Sequence, residues 1–252
     1  MVYEIHRLAQ HAAIYSKLHQ ELFDKAIKEA IGTYSWHIDV PDRVLTFTSV
    51  DGGGEVTCEG DTLASVAVRP ATLLWGYAKF FAPYVGDNPA ARQIRSFGEE
   101  YELESLTQEE IPYEFDESQN QLDAIVALSH EVGMVANIIY GPEVYYYTGP
   151  TGNAGARQTY LVRNPSVDIP PVTVRELFPR LARYIVELED IDWSFEGLGK
   201  LLPSWSVQRE QTPEGPVRYT ITDHTGDSCA ALITYDKYGR VAEVSLTNYF
   251  QD

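Results

Sequence analysis

Tyr15, Leu18, Leu22 and Ala26 recur at steps of three and four along the first thirty residues, with Lys17, Gln20, Asp24 and Lys28 between them. That spacing predicts an amphipathic helix from about residue 5 to 30, closed near Gly32. The period then shortens to two. Tyr34, Trp36, Ile38 and Val40 alternate with Ser35, His37 and Asp39, which predicts a strand with one buried face. Pro41-Asp42 turns it into a second strand over 43–50, Gly52 to Gly54 form a hairpin loop, and 55–68 read as a third strand, bent or bulged near Gly60. A fourth strand is predicted over 72–80, with Leu73, Trp75 and Tyr77 on one face and the smaller Gly76 and Ala78 on the other.

Helical spacing returns at Asn88-Pro89, a cap followed by proline in the first turn, with Ala90, Ile94, Phe97 and Tyr101 as the buried stripe. Ser118 and Gln121 suggest a capping box for a second helix whose inner side carries Leu122, Ile125, Ser129 and Val132. Tyr145 and Tyr147 share a strand face, and alternation resumes through Gln158, Tyr160 and Val162. The Gly-rich stretch between them lacks the lysine and the following helix that a phosphate loop needs, so it reads as a hairpin tip. The Pro-rich 164–171 reads as a linker. Beyond it, Thr173 and Glu176 cap a helix carrying Leu177, Leu181, Tyr184 and Leu188, delayed or kinked at Pro179. Four strands follow over 205–210, 217–222, 228–235 and 241–249, joined by Gly-bearing turns.

The expected fold is α+β, with antiparallel sheets each flanked by helices, in two helix-plus-four-strand units: residues 1–165 and a smaller 166–252. The repeated order of elements raises the question of duplication without aligned residues to support it.

Composition changes the picture mainly through charge. The 252 residues hold 19 Lys and Arg against 37 Asp and Glu, a formal charge of −18. Such a field repels phosphate backbones and anionic lipid, which argues against nucleic acid and membrane partners and favours a basic protein. Residues 99–117 hold nine acidic side chains and no basic one. Glu99, Glu100, Glu102, Glu109 and Glu110 are the candidate docking residues in this run, whose simpler reading is a solvated face. The first ten residues carry Glu4 and His6 where a signal peptide needs a positive start and an apolar run. The longest apolar stretch, from Ala71, is broken by Lys79 and Pro83 and falls short of the ~20 residues that span a bilayer. Cys58 and Cys229 stand alone in strand-like segments, as free thiols of a reducing, cytoplasmic compartment would.

Candidate chemistry is sparse. His130-Glu131 lacks the second histidine one turn on that zinc would need, so no metal and no cofactor is expected. His37 and Asp39, two apart on a strand, project from one face and form the only weak catalytic pair, a carboxylate beside a possible general base. Trp36, Trp75, Tyr77, Tyr145 and Tyr147 could line a cup for a flat apolar ligand, or simply fill a core.

The strand Thr72-Leu-Leu-Trp-Gly-Tyr-Ala-Lys79 resembles the Trp-rich strand of an uncharacterised, actinobacterial-type family of unknown function, which reads roughly Thr-Trp-Leu-Trp-Ala-Trp-Ala-Asn. Thr72, Leu74, Trp75 and Ala78 agree, while Leu73, Gly76, Tyr77 and Lys79 depart. The resemblance extends from Trp36 to Val162 and implies two helices and a closing aromatic hairpin, with no known activity. The favoured expectation is a non-catalytic, immunity-like module that binds a basic protein. The alternative is a small-molecule cup or cofactor-free enzyme.

Overall fold

Alternation and helical periodicity translate into 11 strands and seven helices among the described residues. The computed structural model describes residues 2–115, 120–152, 155–213 and 215–251. The fold is α+β, with one antiparallel sheet of seven strands and one of four. Two compact units result, residues 1–9 with 23–169 and residues 10–22 with 170–252. Helix α1 (Val2–Ile31) therefore contributes to both. Its stretch 11–16 is buried at every position, His11 and Ser16 included, so the expected polar face is interrupted there.

In the first unit, β1 (Tyr34–Asp39), β2 (Val44–Ser49), β3 (Glu55–Val68) and β4 (Ala71–Trp75) follow in order. Residues 64–66 of β3 pair with both β4 and β7 (Arg157–Arg163), and Glu59 pairs with both Val44 and Arg163. So β2 and β4 share one edge of β3, and β7 takes the other. The short β5 (Glu110–Pro112) extends the sheet beyond β4, and β6 (Tyr145–Pro150) extends it beyond β7. The first sheet thus has seven strands where the repeat of four was expected. The Gly-rich stretch joins β6 to β7 in antiparallel register, as a hairpin should, though Asn153 and Ala154 lie outside the described residues.

The strand expected over 72–80 ends at Trp75. The Gly76 amide turns back to the Leu63 carbonyl at 2.6 Å and the Ala78 amide bonds Trp75 at 2.8 Å, so Tyr77 does not continue the Trp75 face. After the one-turn α2 (Ala82–Val85), α3 (Pro89–Glu100) begins as predicted, with Asn88 Oδ1 accepting from the Ala91 amide. A short α4 (Glu104–Thr107) follows. α5 (Gln121–Tyr140) is capped by Asn120, while the expected cap Ser118 lies outside the described residues, and Leu122 of its predicted inner side is exposed. Among the described residues α5, not the stretch from Ala71, is the helix long and apolar enough to cross a bilayer, with mean hydropathy 1.5. Here Ile125, Val132 and Val135 sit in the core with Leu63, Val66 and Trp75. A second core cluster joins Phe23, Ile27, Phe47, Val56 and Tyr160. Leu161 belongs to the first cluster and its neighbours Tyr160 and Val162 to the second, so both faces of the sheet are covered.

The second unit contains α6 (Val174–Val186), α7 (Ile191–Leu201) and the meander β8 (Ser206–Gln211), β9 (Val217–Thr222), β10 (Ser228–Tyr235) and β11 (Val241–Tyr249). Thr173 caps α6, which continues through Pro179 at the loss of one amide donor. α7 was not expected. Asp190 caps it, and Gly197 lets it approach α1 so closely that a Cβ would stand 1.7 Å from the His11 carbonyl oxygen.

Candidate functional site

The acidic run is carried by the end of α3, α4 and β5. Glu99, Glu100, Glu102 and Glu110 are exposed, and Glu109 is half-buried. Glu4 of α1 holds this segment in place: its Oε2 accepts from the Ser105 amide at 2.8 Å and the Ser105 hydroxyl at 2.7 Å, satisfying a free donor in the first turn of α4. Tyr77 lies beneath the run, its hydroxyl reaching the Leu106 and Gln108 carbonyls at 2.8 and 2.9 Å. Burial chiefly raises the pKa of that hydroxyl, Arg95 opposes the shift, and Glu109 and Glu99 add to it. Glu109 also accepts from the Lys79 amide, which ties the run to the segment bearing Phe80 and Tyr84. These two rings and Tyr101 are 64%, 65% and 56% exposed. Exposed aromatic side chains are among the residue types that anchor interfaces.

The five residues of the candidate cup divide. Trp36, Tyr145 and Tyr147 share a face, Trp36 meeting Tyr147 edge-on at 5.2 Å and Tyr145 stacking on Phe23 at 4.7 Å. Gly149 is needed beneath Trp36, whose ring a Cβ there would meet at 2.3 Å. Trp75 is fully buried in the other core cluster, with Nε1 donating to the Ser105 carbonyl at 2.7 Å, and Tyr77 lies under the acidic run. The five do not surround one space.

His37 and Asp39 are both exposed on β1. Asp39 accepts from the Asp42 amide at 3.1 Å and so fixes the β1–β2 turn. His130 lies near the Tyr146 hydroxyl at 3.3 Å, its pKa lowered by burial and by Arg157. Among the described residues no group of three or more His, Cys, Asp or Glu is placed to hold a metal ion. The Cys58 and Cys229 thiols are buried and pushed up to about 12, burial being the main cause in each.

Sequence reasoning missed one constellation. His6 of α1 and Glu131 of α5, 125 positions apart, meet with Nδ1 2.7 Å from Oε1. The carboxylate only accepts, so Nδ1 carries the proton. The pair lies on a hollow of about 330 Å³ walled by Tyr3, Tyr113, Phe115 and Leu128, with Glu114 at its border. The α5 positions Ala124, Ala127, Leu128 and Glu131 line it at helical spacing, a stripe beside the one predicted as the inner side. In the second unit a larger, open groove of about 660 Å³ runs along α7 and β8. Its charges are mixed: Arg209 Nε donates to Asp192 at 2.6 Å, Lys200 pairs with Glu196 at 2.6 Å, and Tyr219 also donates to Asp192.

No curated protein and no solved structure matches the chain. The DUF6882 family, described as a family of unknown function, matches residues 6–165, which take in the acidic run, Glu131 and the aromatic hairpin. Covering well over half of the sequence, that match places the chain in the DUF6882 family of unknown function.

Proposed function

We propose that this protein is a non-catalytic binding module of a reducing cytoplasm that captures a basic protein, in its sharpest form the neutralising partner of a toxin. The supporting observation is that the first unit exposes both Glu99, Glu100, Glu102 and Glu110 and the rings of Phe80, Tyr84 and Tyr101, the two segments being tied by the contact of Glu109 with the Lys79 amide. Carboxylates steer a cationic surface into place, and the rings supply the desolvated contacts that hold it. A chain of charge −18 extends that steering beyond the contact itself.

The test is affinity capture with the wild-type chain and with Glu99→Gln/Glu100→Gln/Glu102→Gln, read at about 0.05 M and about 0.5 M salt. A basic protein held by the wild type in low salt, lost in high salt and lost by the triple variant is the expected result. Recovery of the same protein by both chains, indifferent to salt, refutes the reading.

A further inference from the structure

We propose that the hollow between the start of α1 and the middle of α5 takes a small organic ammonium ion. This is a second site, separate from the exposed carboxylates Glu99 to Glu110, though Glu114 at the end of the acidic run lines it. The wall chemistry selects the charge. Among the described lining residues Glu131 and Glu114 outnumber His6, so their summed charge is negative even when the imidazole is protonated, which favours a cation over an anion. Tyr3, Tyr113 and Phe115 add aromatic rings to the lining, the side chains whose π-systems attract cations. At about 330 Å³ the space lies at the small end of the range for ligand pockets, roughly 300–1,000 Å³.

The walls are also held from behind. The Tyr113 hydroxyl donates to the Ala67 carbonyl, and its ring meets Phe115 edge-on at 5.2 Å. His6 fixes Glu131 through the 2.7 Å contact, and a carboxylate accepts several donors at once, so an ammonium can join the imidazole on the same group. His6 acts here as a positioning residue. Glu131 and the rings make the contact with the ligand.

The experiment titrates the full chain with phenethylammonium, with 2-phenylethanol as its neutral isostere and with n-butylammonium, by calorimetry and by shifts of the amide NMR signals of α1 and α5. Two variants accompany it: Glu131→Gln, and Ala127→Phe, which fills the hollow from an exposed position on α5. Saturable phenethylammonium binding is expected, weakened about tenfold or more by either variant, with the alcohol at least about tenfold weaker than the amine. If n-butylammonium binds as well, the site takes alkylammonium ions in general; if only the aryl amine binds, the rings select an arylalkylammonium. Either supports the site. Equal binding of the alcohol, binding that ignores both variants, or no saturation by about 10 mM overturns it. Glu99→Gln/Glu100→Gln/Glu102→Gln leaves the amine titration unchanged, so this site and the acidic surface stand or fall separately.

Discussion

Replacing Trp75 tests its packing role in one measurement. The side chain is fully buried among Leu63, Leu73, Ile94 and Leu106, and its Nε1 donates to the buried Ser105 at 2.7 Å. Truncation to Ala removes the whole ring from a packed interior, which costs about 3–5 kcal/mol. Trp75→Phe keeps most of the ring and takes away the donor, so about 1–3 kcal/mol is expected. Cys58, on β3 of the same unit, supplies the readout, because its buried thiol, pushed up to about 12, reacts with a disulfide reagent only when that unit opens. With opening fast relative to labelling, 3–5 kcal/mol raises the Cys58 labelling rate by about two to four orders of magnitude. Trp75→Phe should fall between wild type and Trp75→Ala. A Trp75→Ala protein that loses less than about 1 kcal/mol, with Cys58 as protected as before, would refute the placement of this ring in the core.

Other expectations follow from contacts of the same kind. Gly197→Ala drives a methyl group against the His11 carbonyl and should destabilise the second unit by about 2 kcal/mol or more, seen as earlier labelling of Cys229 in urea; unchanged labelling would contradict the close approach. Asp61→Asn leaves Arg163, 2.6 Å away, and Arg43, 3.5 Å away, without their carboxylate. The cost should be about 2–3 kcal/mol in urea unfolding, below a fully buried pair because both arginines keep a third or more of their side-chain exposure; a loss under about 0.5 kcal/mol would refute it. Burial, with Arg157 adding, lowers the pKa of His130, so the unfolded chain takes up that proton first. The His130 contribution is complete above pH 6.5 and declines as the pH falls through 6.5 toward the folded-state value. His130→Gln should flatten the stability profile between about pH 7.5 and 5.5, and an identical slope would remove His130 as its source.

The elements that depend on local pattern were legible. β9, β10 and β11 lie where alternation put them, and Asn88 and Thr173 cap their helices through the expected side-chain oxygens. What failed depends on partners distant in sequence. β4 ends at Trp75 because Gly76 is drawn to Leu63, and nothing in 72–80 announces that bond. α7 escaped because Gly197 and Gly199 argue against a helix interior, yet Gly197 is there for the close contact with His11. The exposed carboxylates could be read directly from composition. The His6–Glu131 pair could not, since it exists only once α1 and α5 meet, and neither residue carries a spacing that signals the other.

How the charge is deployed bears on why a cationic partner would choose the acidic run. Among the described residues at least thirteen of the 19 lysines and arginines stand within 4 Å of a carboxylate. Among the described residues the acidic run enters only one of those pairs, Glu99 with Arg95. Most of the protein's own cations are therefore committed elsewhere, as with Glu21, which engages both Arg180 and Arg183. A basic protein arriving at Glu100, Glu102 or Glu110 displaces no internal partner and gains the full attraction of carboxylates that the fold leaves in water. Salt then acts unequally. Exposed pairs that decorate the surface contribute roughly 0–1 kcal/mol each, so stability should change little with ionic strength, whereas capture by the run depends on unscreened charge and should fall steeply. A protein whose melting temperature and partner affinity declined together with salt would show that the run serves the fold rather than an encounter.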